Sequence, residues 1–260
     1  MTALGIALAG LIGIALGLLG GGGSILTVPV LVYILGYEPK PAIAMSLVIV
    51  GTASLIGALR LRQQRTMRVR TALGFGVFAM LGAYLGARLA HDLNGKTQLI
   101  LLGAAMLAAA VSMFRSAAVA EIEPDAGLVA GGLARPPARH PVAVAAIGIG
   151  VGVLTGMAGV GGGFLIVPAL VLFAAIPMRQ AVGTSLFVIA MNCAAAFAGY
   201  WGRVPIPWGF VTVFALVAVA GSVAGTALGR HVPAPALKRG FAVFLVLMGL
   251  FVLYSNRSAF

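Results

Sequence analysis

Gly17-Leu-Leu-Gly-Gly-Gly-Gly-Ser-Ile-Leu-Thr-Val-Pro-Val-Leu31 recurs 139 residues later as Gly156-Met-Ala-Gly-Val-Gly-Gly-Gly-Phe-Leu-Ile-Val-Pro-Ala-Leu170. The same shift lays Ala42 on Ala181, Ser46-Leu47 on Ser185-Leu186, and Gly82 and Gly86 on Gly221 and Gly225. One constant offset holding from Gly17 to Gly86 marks a duplication. Internal repeats of this kind are a common plan of secondary transporters.

Outward from that stretch, apolar runs cover 3–19, 24–36, 41–59, 71–90 and 97–114, then 141–158, 163–176, 180–200, 208–229 and 237–254. The polar linker 116–140 separates a first repeat, 1–115, from a second, 141–260. Of the 260 residues, 61% are hydrophobic and only 8% charged, with a mean hydropathy of +1.11. Soluble chains carry about 25% charged residues, so this chain cannot cover a water-facing surface. The expected fold is an all-α polytopic membrane protein of two homologous halves. Each half has a glycine-broken first helical element followed by three transmembrane helices.

The broken element follows from lengths. Residues 3–19 nearly span a hydrocarbon core of about 30 Å at about 1.5 Å per residue, whereas 24–36 fall short. Gly20 to Gly23, and Gly159 with Gly161 to Gly163, interrupt helix and permit positive φ, and Pro29 and Pro168 sit inside the short pieces. Such irregular backbone at membrane depth requires protein or a watery cavity around it.

The net charge of +12 is a topology signal. Most Lys and Arg flank apolar runs, as headgroup anchors do, and none forms a basic stretch interleaved with aromatics, so nucleic acid is not an expected partner. Arg60, Arg62, Arg65, Arg68 and Arg70 form the richest cluster and belong on the cytoplasmic side. If each broken unit turns back on itself, the halves are inverted and the basic residues divide twelve inside to five outside. If it crosses once, they divide ten to seven, which favours inversion. No basic residue precedes Lys40, so the first run lacks the n-region of a cleaved signal and is expected in the mature fold. The lone Cys193 allows no disulfide within the chain.

Each glycine break exposes successive backbone N–H groups at a helix N-terminus, where the dipole places roughly half a positive charge. Two such breaks facing one another would enclose an anion. Gly82-xxx-Gly86 and Gly221-xxx-Gly225-xxx-Gly229 read instead as small-residue helix packing. Candidate substrate-binding residues are Gly21, Gly22, Gly23, Ser24, Ser46, Gly161, Gly162, Gly163, Thr184, Ser185 and Asn192. Ser46 and Ser185 are related by the repeat, and Asn192 is the costliest of the set to bury unpaired. A membrane Ser or Thr also commonly bonds its own helix. Arg88 reads as a snorkelling interfacial residue, and Arg60 with Arg203 as a candidate vestibule pair.

All five carboxylates (Glu38, Asp92, Glu121, Glu123 and Asp125) fall at segment ends or in the linker, as do His91, His140 and His231. An intramembrane protease needs a buried base or acid pair, and a transition-metal permease needs His, Cys or carboxylate ligands. No catalytic residue, metal or cofactor is therefore expected. Coupling through a buried acid is disfavoured.

At Gly20-Gly-Gly-Gly-Ser-Ile-Leu-Thr-Val-Pro29, Gly159-Val-Gly-Gly-Gly-Phe-Leu-Ile-Val-Pro168 and Gly183-Thr-Ser-Leu186 the chain resembles the TauE/SafE family of sulfite-exporter-like permeases. The first half departs from the pattern, with Ala44-Met-Ser46 where the second has Gly183-Thr-Ser185, and Ser24 in place of Gly163. The resemblance implies a multi-pass protein of a bacterial-type inner membrane that moves a small sulfur-containing anion such as sulfite, thiosulfate or an organosulfonate. The expected partners are that anion and the lipid bilayer, with a homodimer left open. An exporter is the leading expectation. An anion channel and an organosulfur importer are the alternatives.

Overall fold

Where water is excluded, each apolar run must satisfy its own backbone N–H and C=O groups, and helix is the way a single segment does so. A computed structural model describes residues 3–63, 68–90, 93–122, 141–158, 162–172, 176–202, 204–229 and 231–255. Among them the secondary structure is helical, with no strand. The first half holds α1 (Ala3–Leu19), α2 (Gly22–Pro29), α3 (Pro39–Gln63), α4 (Val69–Leu89) and α5 (Gly95–Ile122). The second holds α6 (Pro141–Ala158), α7 (Gly163–Leu172), α8 (Met178–Tyr200), α9 (Trp208–Gly229) and α10 (Ala234–Ser255). Helix α5 runs into the stretch read as linker, because Ser116-Ala-Ala-Val-Ala-Glu-Ile122 is rich in strong helix formers.

Four of these helices are long and apolar enough to cross a membrane: α3, α4 from Thr71, α8 from Gln180, and α9. Their outer faces keep large apolar side chains exposed, among them Leu55, Leu81, Leu85 and Leu216. A water-facing helix would carry charge there.

Helix α2 does not continue α1. Gly23 lies against Ile12 and Leu16 of α1, so the chain has folded back on itself. A π-helical turn, Val30–Ile34, follows Pro29, which has no N–H to give. Leu35 N–H reaches the Val30 carbonyl at 3.0 Å, and Gly36 at φ 72 ends the element. In the second half Gly162 packs on Thr155 of α6, which reproduces the fold-back.

Helices α3 and α8 cross at the centre, with Gly51 against Cys193 and Gly57 against Leu186, so they run antiparallel. Helices α5 and α10 are antiparallel too, with Gly103 against Leu253 and Leu107 against Gly249. Beside the central pair, α9 packs on α3 and α4 packs on α8. Outermost, α1 packs on α9 and α6 on α4, so the first helix of each half docks on the opposite half. The row reads α6, α4, α8, α3, α9, α1. On one side of it lie α2 and α7, in contact with each other and with α10 and α5 respectively.

The two outer docking seams are built on glycine. Gly82 and Gly86 of α4 face Ile149 and Val153 of α6, and Gly152 and Gly156 of α6 face Ala79 and Ala83. On the other seam Gly13 and Gly17 of α1 face Ala218, Ser222 and Thr226, while Gly221 and Gly225 of α9 face Gly10 and Ile14. Residue numbers rise together along both seams, so each pair is parallel. A Cβ at any of these glycines except Gly10 would overlap a backbone carbonyl of the facing helix. Gly82-xxx-Gly86 and Gly221-xxx-Gly225 are therefore packing motifs, as their spacing suggests.

Helix α4 contains its own control. A methyl added at Gly74 would meet no atom within 4 Å, whereas one at Gly86 would abut the Val153 backbone. Gly86→Ala is expected to destabilise by about 1–3 kcal/mol through backbone overlap, and Gly74→Ala to stabilise by up to about 1 kcal/mol. Thermal unfolding of the two purified variants in one detergent measures both signs.

Candidate functional site

The fold-back places the start of α2 against the start of α7. Gly20, at φ 71, reverses the chain after its N–H closes the last turn of α1 on the Leu16 carbonyl at 2.9 Å. Gly21 then caps α2, its carbonyl accepting Ser24 N–H at 3.2 Å and the Ser24 hydroxyl at 2.6 Å. In the second half Gly162, at φ 85, accepts Leu165 N–H at 3.0 Å and Ile166 N–H at 2.8 Å. The two bends touch through backbone: a Cβ on Gly21 would overlap the Gly163 carbonyl, and one on Gly163 would lie 2.5 Å from Gly21 Cα. Neither position has room for a side chain.

Helix geometry leaves the first N–H groups of α2 and α7 without an intrahelical acceptor. Neither helix has an acidic residue in its first turn. Two positive dipole ends therefore converge with no side-chain negative charge to offset them.

Helix α8 forms one wall. Val182 and Ser185 pack on Gly20, and Ile189 on Gly163. Ser185 Oγ shares its proton between the Gly20 carbonyl at 2.9 Å and the Val182 carbonyl at 2.8 Å, which ties the second half to the first bend. Asn192 continues the same stripe at helical spacing and is fully buried. Neither of its amide atoms finds a hydrogen-bond partner among the described residues.

The candidate residues thus separate. Gly21, Gly23, Ser24, Gly162, Gly163 and Ser185 belong to the two bends and their immediate packing, with Gly22 in the first turn of α2. Gly161 lies outside the described residues. Ser46 is buried on α3 and donates to the Ile43 carbonyl at 2.7 Å. Thr184 faces elsewhere: its hydroxyl donates to the Gln180 carbonyl at 2.7 Å and accepts Arg68 N–H at 3.2 Å. Ser24, Ser46, Thr184 and Ser185 all give their protons to backbone carbonyls, the common habit of hydroxyls on apolar helices.

Sequence reading missed the link that engages Thr184. Arg68 Nε–H also donates to Gln180 Oε1 at 2.7 Å, joining the start of α4 to the start of α8. Under the 139-residue shift, Arg68, Gln180 and Thr184 correspond to Pro207, Pro41 and Met45, which offer no such bonds. That polar-to-apolar mismatch between repeats was the available signal. Arg88 is exposed, with its guanidinium 5.1 Å from the Tyr84 ring centroid, an interfacial arrangement rather than a site contact. Arg203 lies outside the described residues. A cavity of about 460 Å³ beside the α3–α8 crossing is lined by apolar side chains such as Leu47, Phe187 and Phe197. Its one hydroxyl, Thr52, bonds the Val48 and Ile49 carbonyls.

With this geometry in place, the chain compares with known proteins as follows. A family model described as Sulfite exporter TauE/SafE matches residues 5–252. A "Probable membrane transporter protein" of Xylella fastidiosa (strain 9a5c) is 31% identical over 250 residues, spanning 95% of this chain and 93% of the relative. "Probable membrane transporter protein YunE" of Bacillus subtilis (strain 168) is 25% identical over 264 residues, spanning 96% and 95%. "Probable membrane transporter protein MJ0441" of Methanocaldococcus jannaschii is 25% identical over 260 residues, spanning 94% and 92%. No solved structure matches.

Two substitutions separate the parts of the site. Ser185→Ala removes one buried side-chain hydrogen bond and is expected to cost about 1 kcal/mol. Gly21→Ala drives a methyl into the Gly163 backbone and is expected to cost more, about 1–3 kcal/mol. Melting temperatures of the monodisperse variants give the ranking.

Proposed function

The chain belongs to the sulfite exporter TauE/SafE family of membrane transporters, and on that premise we propose that it is a secondary permease exporting a small sulfur-containing anion. One observation carries the proposal: two glycine bends, one from each half, abut at the N-termini of α2 and α7. Because the bends are in backbone contact, an oxyanion would bind beside that contact, where the amide protons of the two helix starts would take the place of water. A bound anion would also offset the converging helix dipoles, and it would compete with the Gly21 and Gly20 carbonyls for the Ser24 and Ser185 hydroxyls. Ser46 would act likewise on the α3 side.

The proposed topology is a pair of inverted repeats in a bacterial-type inner membrane. The antiparallel crossings of counterpart helices, α3 with α8 and α5 with α10, support it. A two-fold axis that reverses membrane-spanning helices lies in the membrane plane. With α1–α2 and α6–α7 as re-entrant hairpins, each half crosses three times. The twelve-to-five division of basic residues then follows.

Each half carries its first helix on the other half, which suits rocking of one body against the other about a central site. The Arg68–Gln180–Thr184 link would hold one side closed, and its counterpart positions cannot form the same bonds. Outward movement of a monovalent anion is favoured by an inside-negative potential, about 2.3 kcal/mol per charge per 100 mV. Export therefore needs no buried acid.

Proteoliposomes test the proposal. Radiolabelled sulfite is expected to show saturable counterflow when unlabelled sulfite is trapped inside, and outward flux should rise with an inside-negative potential. Large ohmic currents without counterflow would identify a channel instead.

A further inference from the structure

Among the described residues Ser54, Gln98, Tyr200 and Asn192 carry buried side-chain polar atoms without a hydrogen-bond partner, and of these Asn192 alone leaves two such atoms and follows Ser185 and Ile189 on the face of α8 beside the bends. It is fully buried, as are Ser24, Ser46, Thr184 and Ser185, yet each of those hydroxyls bonds a backbone carbonyl and the Asn192 amide bonds nothing among the described residues. A buried amide left unpaired costs free energy, whereas an apolar residue of the same shape would not. The position 139 residues earlier holds Ala53, so the duplication does not require a polar group there. Asn192 also stands one helical step beyond Ile189, which packs on Gly163, and two turns beyond Ser185, which bonds Gly20. An unpaired donor–acceptor group thus lies on the stripe of α8 that walls both bends.

The charge inventory around that stripe is equally specific. Residues 1–37, 41–59, 141–178 and 180–202, which supply α1, α2, α6, α7 and most of α3 and α8, contain no Lys, Arg, Asp or Glu. The cost of burying an ion grows with the square of its charge, and these segments hold no counter-ion to repay a second negative charge, while Arg68 of α4 is exposed and its guanidinium is engaged by Gln180. A site of neutral donors suits a single charge.

We propose that Asn192 makes this site selective for a singly charged oxyanion that carries its own hydrogen-bond donor. Nδ2–H donates to an oxyanion oxygen, and Oδ1 accepts from the anion's own O–H. Singly protonated sulfite and hydroxyl-bearing sulfonates have this chemistry; sulfate and thiosulfate, as dianions without a donor, do not. The inference rests on the bends being the anion site, and adds which anions that site takes.

The test uses two sulfonates of equal charge that differ by one hydroxyl, 2-hydroxyethanesulfonate and ethanesulfonate, with sulfate as the dianion. Ligand-induced thermal stabilisation of the purified full chain is measured over a concentration series. The wild type is expected to reach half-maximal stabilisation with the hydroxylated sulfonate at a concentration at least about tenfold lower than with ethanesulfonate, and to respond least to sulfate. Asn192→Leu, and Asn192→Ala as a second variant, should bring the ratio within about twofold. Unliganded Asn192→Leu should melt no lower than the wild type, whereas an amide with a structural role would lower the melting point. Equal response of the wild type to the two sulfonates, a response to sulfate as strong as to either, or a ratio that survives both substitutions would overturn the inference while leaving the anion site standing. Failure of every sulfur anion, sulfite included, to stabilise the wild type would overturn both.

Discussion

Backbone-to-backbone contact between helices is the constraint on which the rest of this structure depends. In lipid there is no hydrophobic gain from joining two apolar helices, so association relies on close approach and dense packing. The α1–α9 and α4–α6 seams achieve that approach through facing glycines and alanines. Each seam joins the first helix of one half to the fourth helix of the other. The halves are thereby interlocked, and neither can form its complete helix row alone.

That interlock is also what brings the two bends together. With α1 held on α9 and α6 held on α4, the chain folds back into α2 and α7 on the same side of the central α3–α8 pair. Gly21 and Gly163 then meet, and the two helix N-termini converge with no acidic residue in either first turn. The hydroxyls buried beside the bends, Ser24 and Ser185, already give their protons to backbone carbonyls. In the proposed carrier, neutral donors at fixed positions would bind an anion and release it again.

The sequence-level picture succeeded where the physics is local. Glycine runs that cannot continue a helix, prolines inside short apolar pieces, and small residues four apart each have a meaning that does not depend on a partner's position. The breaks at Gly20–Gly21 and Gly162, and the packing roles of Gly82 and Gly86, were legible for that reason. Thr184 shows where local reading stops. It shares a helix turn with Ser185, yet its hydroxyl meets Arg68 from the first half while Ser185 meets Gly20. Neighbouring residues on a helix point about 100° apart, so they reach different partners, and only the packing says which.

Composition and the glycine runs alone determined the helical class and the helix-breaking positions, because solvent quality and backbone sterics act on every residue wherever it ends up. Tertiary structure decided the rest: that each first helix docks on the opposite half, that counterpart helices run antiparallel, and that both amide atoms of Asn192 are left unpaired among the described residues. These are relations between segments far apart in the chain. No periodicity within a segment encodes them, since they arise from which surfaces fit at van der Waals distance once the helices exist.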